Sequence, residues 1–260
     1  MAAGGRIAAV KSARRTIEAL EFFAEAHRPA SVTEMAEHLS APLSSTSILL
    51  AGLARLGYLE QDPLDRRYRP TLRVMLLGAW LQDRLFGESS LLRLAESLRA
   101  TTGLTVLIGT QQGASVQYIL TLRRPSARGD ERMKAGMLRP ITRAALGKAL
   151  LLQMTDQEAG RLLRRANAEE VHASNRIPTP QFLADLRAAR ACGYAESRGA
   201  VRPGLSVIAL PLPLLADQPP LAIGLGGDQL HLEDKREAVI GSLRNVCEVL
   251  ARESAKQSRL

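Results

Sequence analysis

Residues 31–69 read SVTEMAEHLSAPLSSTSILLAGLARLGYLEQDPLDRRYR, and this run decides the architecture. Ser31 is placed to cap a helix, with Glu34 three positions on returning a bond to the Ser31 amide. Met35, Ala36 and Leu39 then supply an apolar stripe. Pro42 ends that helix, because it has no N–H and disfavours α geometry in the residue before it. A second helix is expected over residues 44–56, closed by Gly57 just beyond its C-cap. Two helices split by a short turn make a helix-turn-helix, whose second member fits a DNA major groove. The helical period turns Thr46, Leu49, Leu50, Leu53 and Leu56 inward and leaves Ser44, Ser45, Ser47, Ile48, Gly52 and Arg55 outward. Residues 58–61 and 66–69 read as two strands joined by Asp62-Pro63-Leu64-Asp65, a strong turn sequence. That hairpin is a wing, with Arg66, Arg67 and Arg69 placed for phosphates. A plain helical hairpin with a solvated basic turn is the alternative; the Gly57-Tyr58 step and the arginine pair behind the tip weigh against it.

The chain around this run has 260 residues, 46% hydrophobic and 23% charged, with only 3% aromatic. Its cores must therefore rest on Leu, Ala, Val and Ile. Cys192 and Cys247 have no metal-ligand spacing and no disulfide framework, which points to a reducing cytosol. No apolar run approaches the roughly 20 residues needed to span a bilayer, and residues 1–10 lack the apolar core of a secretory signal. These features place the protein in the cytoplasm. The net charge is +9, which invites a nucleic-acid partner. Through Phe86, however, 11 basic residues face 9 acidic ones, and the remainder carries 24 against 17. A claim of DNA binding therefore rests on the motif and its local arginines.

Residues 1–10 read as a disordered tail and residues 12–26 as a first helix, with Ile17, Leu20 and Phe23 inward. Lys11, Arg14 and Arg15 at its start either reach phosphate or are simply solvated. Residues 72–85 form a strongly apolar helix holding the single tryptophan, Trp80. Its face is either a dimer contact, a seat for the next domain, or buried within one subunit. From Gly103 the period changes to two. Residues 105–109 and 116–120 flank Gln112-Gly113 as a hairpin, residues 123–130 make a basic loop, and a further strand is expected over 132–137. Helices are expected from Ala144, over 156–165, over 181–192 and over 234–254, and central strands over 207–214 and 221–225. The fold class is α+β, with helices outside a largely antiparallel sheet.

These residues resemble the IclR-type bacterial transcriptional regulators. The matching run is Pro42-Leu43-Ser44-Ser45-Thr46-Ser47-Ile48-Leu49-Leu50, then Gly57-Tyr58, then Arg67-Tyr68-Arg69-Pro70. In the second half, Pro140 with Ala145-Leu146-Gly147-Lys148-Ala149, Cys192-Gly193-Tyr194-Ala195 and Arg202-Pro203-Gly204-Leu205 follow in the family's order. The resemblance spans residues 12–251. It implies an N-terminal winged helix-turn-helix (residues 1–71), a linker helix (72–88) and a C-terminal GAF-like effector-binding domain (89–260). It also implies a homodimer or homotetramer on a double-stranded DNA operator with inverted repeats. Arg14, Arg15, Arg66 and Arg67 would neutralise phosphates, and Ser44, Ser45, Ser47, Ile48 and Arg55 would meet the DNA, with Ile48 suited to a thymine methyl. Leu43 and Ile48 stand where relatives carry basic residues. That departure is the support for a rival function, a ligand-sensing protein-interaction module without specific DNA readout.

Carried over residue by residue, the effector cavity involves Ala145 and Leu146 at a helix start, Ser197, Leu205 and Val207 on a loop and strand, and Gly224 and Gly226 on the last strand. Arg139 and Arg143 flank it and either pair with a carboxylate or are surface charges. Many relatives place an acid at Ser197, a cysteine at Val207 and serines at Gly224 and Gly226. An apolar set leaves a small hydrated acid undercompensated, by about 1–3 kcal/mol per unmet polar group. The expected effector is therefore larger and less polar than a two- or three-carbon acid. No nucleophile–base pair, metal cluster or phosphate-cradling loop emerges. His27, His38, His172 and His231 are scattered, Ile223-Gly224-Leu225-Gly226-Gly227 has no helix behind it to cradle phosphate, and Lys148 reads as part of a packed helix. Neither an enzyme nor a cofactor is expected.

Overall fold

In the computed structural model, which describes residues 10–79, 90–123, 133–201, 203–214 and 218–257, the chain divides into two compact units, residues 1–84 and 85–260. The first unit opens with α1 (Lys11–Ala26), α2 (Val32–His38) and α3 (Leu43–Arg55). The capping box forms as expected. The Glu34 amide donates to Ser31 Oγ at 3.2 Å, and the Ser31 amide donates to Glu34 Oε2 at 2.8 Å. Pro42 is the N-cap of α3, which begins one residue earlier than its sequence suggests. Gly57 leaves the helix at φ +81°, a conformation that costs glycine little and other residues more. β1 (Leu59–Gln61) and β2 (Tyr68–Pro70) pair antiparallel as the wing. Ala30 exchanges both backbone hydrogen bonds with Tyr68, a third short segment that the sequence does not reveal. Ala19, Phe23, Met35, Leu50, Leu53, Leu59 and Tyr68 close the core.

Two expected helix faces are corrected. Leu56 is 61% exposed, because the helix has already ended and Leu56 is its C-cap. Ile17 is also exposed. The buried line of α1 runs through Ala19 and Phe23, and a residue two positions from Ala19 lies on the opposite side of a helix. Beyond the wing, Thr71 caps α4 (Leu72–Leu76), its Oγ1 accepting from the Arg73 amide. Leu72, Met75 and Leu76 are exposed. The remainder of the helix expected over 72–85, including Trp80, lies outside the described residues.

The second unit runs α5 (Leu91–Thr102), β3 (Thr105–Gln112), β4 (Ser115–Leu122), β5 (Leu138–Pro140), α6 (Ala145–Leu151), α7 (Asp156–Glu169), α8 (Thr179–Cys192), β6 (Ala195–Arg198), β7 (Leu205–Pro211), β8 (Leu221–Asp228), α9 (Gln229–Asp234) and α10 (Arg236–Gln257). The six strands form one sheet in the order β5-β4-β3-β8-β7-β6, antiparallel throughout. Alternation along each strand sends side chains to opposite faces. Val106, Ile108, Ile208, Leu210, Ile223 and Leu225 pack with residues of α5, α9 and α10. Leu107, Val116, Tyr118, Ala209 and Ala222 pack with α6. α7 and α8 enclose Ile141 and Leu151 with Ala159, Leu163, Phe182 and Leu186.

Several expected boundaries move. The strand expected over 132–137 is β5, residues 138–140, while Arg132 and most of the basic loop lie outside the described residues. β6, read from sequence as part of a loop, is an edge strand paired to β7 over four residues. The helix expected over 234–254 is α10, residues 236–257, and a short helix the sequence did not announce, α9, precedes it, set off by Lys235 at φ −101°, ψ 14°. β7 ends at Pro211, three residues short of expectation, and β8 continues through Gly226 and Gly227 to Asp228.

Candidate DNA-binding surface and ligand-facing sheet

On α3, Ser44, Ser47, Ile48 and Arg55 are exposed, Ile48 at 75%. Ser45 is half-buried and donates its hydroxyl back to the Pro42 carbonyl at 2.9 Å, so its polar group is engaged by its own helix. Leu43, 54% exposed, lines a shallow hollow with Val32, Ser44 and Ser47. The outward face of this helix is thus hydroxyls flanked by two aliphatic side chains. Leu50 and Leu53 on the opposite face anchor it to the core.

The wing tip is built by its carboxylates. Asp62 accepts from the Leu64 amide at 2.8 Å and Asp65 from the Arg67 amide at 2.9 Å, while Arg66 takes the left-handed conformation at φ +61°. The arginines then divide. Arg67 donates to Glu34 Oε2 at 3.1 Å and to the Pro29 carbonyl at 3.3 Å, so it ties the wing to the capping box of α2. Arg69 pairs with Glu60 across the wing at 2.6 Å, and Arg14 with Glu18 at 2.9 Å. Among the described residues, no ion pair engages Arg15, Arg55 or Arg66, and Arg66 is exposed beside the tip.

The Ser31 amide first, and then Arg28, pull the Glu34 carboxyl down to about 2 from an ordinary 4.5. A carboxyl depressed on folding adds stability above its unfolded pKa and loses it as pH falls through the folded value. The winged module should therefore loosen as pH drops from 4.5 towards about 2. Glu34→Gln should flatten that part of the acid limb in circular-dichroism melts taken across the range. An unchanged limb in the variant would remove Glu34 as its source.

In the second unit, strand register assembles the residues expected around the effector. Ser197 pairs with Val207, Val207 with Gly226, and Gly226 with Thr105, one row across β6, β7, β8 and β3. The next row on the same face is Ala195, Ala209, Gly224 and Leu107. Ala145 and Leu146 of α6 pack over it. A Cβ on Gly224 would lie 3.0 Å from Leu146 Cδ1, and one on Gly226 would lie 3.0 Å from Met133 Sδ and 3.1 Å from Val207 Cγ2. The two glycines thus let Leu146 of α6, Met133 and Val207 pack closely against the sheet backbone. Leu205 stands at the outer end of β7, opposite Asp228, and is only half-buried.

Arg139 lies across from Val116 on β5 and points a guanidinium nitrogen at Met137 Sδ, 3.5 Å away. It also acts on the buried Tyr118 hydroxyl. Burial pushes that hydroxyl up and Arg139 opposes the shift. Arg143 is placed differently, 3.5 Å from Glu170 and away from Arg139's strand. Sequence reasoning missed Tyr118, Thr105 and Met133. Tyr118 and Thr105 sit in alternating strands whose register was unknown, and only the phase of their alternation could have flagged them. Lys148 reaches across to donate to the Glu196 carbonyl at 3.2 Å.

Among the described residues no group of three or more His, Cys, Asp or Glu is placed to bind a metal. Burial, and then Glu248, push the Cys247 thiol up to about 11, which leaves little thiolate to act as a nucleophile. No described helix is long and apolar enough to cross a membrane.

A winged helix with an open recognition face, followed by an α+β domain with a glycine-lined sheet under one helix, defines a two-domain sensor–DNA-binding architecture. The family model described as the IclR helix-turn-helix domain matches residues 12–63, and that of the bacterial transcriptional regulator IclR C-terminal domain matches residues 89–252. The chain belongs to the IclR family of bacterial transcriptional regulators. It is 31% identical over 173 residues to the HTH-type transcriptional regulator TsaQ1/TsaQ2 of Comamonas testosteroni, covering 65% of this chain and 62% of that regulator, just under two thirds of its length. Among solved structures it is similar to the Thermotoga maritima IclR, with a TM-score of 0.74 at 21% identity over 93% of this chain and 98% of that one. It is also similar to an IclR homolog from Microbacterium hydrocarbonoxydans complexed with 4-hydroxybenzoate, with a TM-score of 0.65 at 17% identity over 90% of this chain and 98% of that one. At such identities the likeness of these structures concerns the fold.

Proposed function

We propose that this protein is a cytoplasmic, ligand-responsive transcriptional regulator that binds double-stranded DNA as a homo-oligomer. Residues 1–71 are the DNA-binding module, 72–88 the connecting helix and 89–260 the effector domain. The observation that carries this reading is the α3 face: an exposed helix surface, anchored from behind by Leu50 and Leu53, beside a wing with an unpaired Arg66 at its tip. α3 enters the major groove. Ser44 and Ser47 meet base edges or phosphates, and Ile48 and Leu43 meet thymine methyls. Neither aliphatic side chain makes the bidentate contacts by which Arg, Asn or Gln discriminate bases, each worth about 1–3 kcal/mol. Sequence preference then follows A·T content, groove shape and half-site spacing. The exposed Leu72, Met75 and Leu76 of α4 supply an apolar strip suited to a second copy.

The effector sits where α6 crosses the Ser197–Val207–Gly226–Thr105 row. Its walls are mostly aliphatic, with Ser197, Thr105, Tyr118 and Arg139 as the polar handles. That set favours a molecule larger and less polar than a two- or three-carbon acid. The solved homolog holding 4-hydroxybenzoate supports an aromatic acid as one such molecule. Regulation requires the effector to bind the DNA-competent and incompetent states unequally.

The test is fluorescence anisotropy with DNA from upstream of the protein's own gene, at two salt concentrations. Specific binding that random DNA does not compete away is expected. Each phosphate contact contributes about 0.9 to the slope of log K against log salt. Arg66→Ala should lower that slope by about 1 without altering the melt. Arg67→Ala should instead lower the melting temperature, because it breaks the tie to Glu34. Weak binding equal for any DNA would reject the regulator reading, and equal slopes in Arg66→Ala and parent would reject the role of the tip.

A further inference from the structure

A cavity of about 290 Å³ opens between α6, α8 and β6, touching the sheet rows only at Ala195 on the edge strand. Its walls combine Phe182 and Leu186 with Thr142, Arg143, Lys148 and Asp185. The cations here are incompletely used. Arg143 Nε is buried without a hydrogen-bond partner, and the side chain's one ion pair among the described residues is a long 3.5 Å approach to Glu170 Oε2. Glu170 spends its other oxygen on the His172 amide at 3.1 Å and on Asn175 at 3.3 Å. Lys148 commits one of its three N–H donors, to the Glu196 carbonyl at 3.2 Å. A guanidinium with spare donors in a half-enclosed site gains from a carboxylate, since charge-assisted hydrogen bonds are about twice as strong as neutral ones.

We propose that this cavity is a second small-molecule site, which takes a monocarboxylate with an apolar body of benzoate size. The carboxylate lies between Arg143 and Lys148, with the Thr142 hydroxyl beside it, and the apolar body rests on Phe182 and Leu186. Asp185 on the rim excludes dianions by repulsion; Glu196, which also lines the cavity and acts on Lys148, is itself paired with Arg198 and Arg236. Burial holds the Lys148 ammonium below the usual lysine range, which an anion at this position would reverse. The site shares two walls with the sheet face: α6 carries Lys148 beside Ala145 and Leu146, and β6 carries the Glu196 carbonyl next to Ser197. An occupant that draws Lys148 from that carbonyl loosens the edge of the same sheet. This assignment uses no residue of the DNA-binding reading; it takes Arg143, expected from sequence beside the effector, into a separate cavity, and meets the sheet rows only at Ala195.

The test uses the full chain and 4-iodobenzoate, whose iodine is located by anomalous diffraction in soaked crystals, with benzoate and benzamide titrated by calorimetry. An iodine peak against Phe182 and Leu186 is expected, with the carboxylate on Arg143. Arg143→Gln should weaken benzoate at this site tenfold or more, Arg143→Lys should recover part of that loss, and Ala189→Phe should block the cavity. Benzamide, isosteric but uncharged, should bind at least tenfold more weakly. Melts of each variant distinguish lost binding from lost folding, and the iodine map separates this site from the sheet face. Iodine found only at the sheet face, or at neither place, overturns the proposal. So do benzoate binding unchanged in folded Ala189→Phe and equal binding of benzamide.

Discussion

Gly147→Ala should destabilise the C-terminal unit by roughly 3 kcal/mol, the upper end of what overpacking costs. A Cβ at this position would lie 2.6 Å from Ile141 Cα and 2.8 Å from its carbonyl carbon, and closer still to the carbonyl oxygen. The obstacle is backbone, so no rotamer change relieves it. Ile141 is itself fully buried, and its amide N–H donates a hydrogen bond to the Ala114 carbonyl. Either α6 lifts from the sheet or residues 140–142 shift, and both disturb Ala145 and Leu146 over the glycine-containing rows of the sheet. The glycine of the Ala145-Leu146-Gly147-Lys148-Ala149 run is thus a close-approach residue, and no phosphate-binding role is needed to explain it. Urea unfolding followed by circular dichroism measures the loss; a change within about 0.5 kcal/mol, as at an ordinary surface site, would refute the contact.

Leu50→Ala should have the larger functional effect. Leu50 is fully buried at the centre of the winged module, and deleting a buried leucine to alanine costs about 2–5 kcal/mol. Small domains hold only about 5–15 kcal/mol of stability in total, and one this small sits near the lower end. The substitution should therefore leave a large fraction of winged modules unfolded at 37 °C, while the second unit, with a separate core, keeps its melt. DNA affinity should fall by more than tenfold while carboxylate binding by the C-terminal unit is unchanged. Loss of both activities together would mean that the two units do not fold independently; retained DNA affinity would mean that α3 is not held by Leu50.

What could be read from the chain followed from local interactions. The Ser31–Glu34 box spans three residues, Gly57 is required by a left-handed turn, and the Asp62–Asp65 tip is closed by carboxylates on amides two or three residues away. Strand alternation from Gly103 onward likewise marked the hairpin of β3 and β4, although their ends fell short by two or three residues. Composition excluded a disulfide scaffold and left aliphatic cores as the only option, and the two units obey it.

Tertiary structure decided the rest, because its determinants lie far apart in the chain. Arg67 and Arg66 are indistinguishable neighbours in sequence, yet Arg67 meets Glu34, 33 residues earlier, while Arg66 projects from a left-handed backbone. β6 is too short to announce itself; it exists because β7 offers an edge. The row of Ser197, Val207, Gly226 and Thr105 depends on three strand registers at once, and a slip of one residue in any of them would turn its side chain to the opposite face. Leu56 and Ile17 were read as inward, yet Leu56 lies past the end of its helix and Ile17 on the side of α1 opposite Ala19. The sequence by itself therefore determined most of the elements, the capping box and the class of protein. Only the packed structure determined which arginine is spent on the fold, which glycines let α6 approach the sheet, and where two half-buried cations share a cavity.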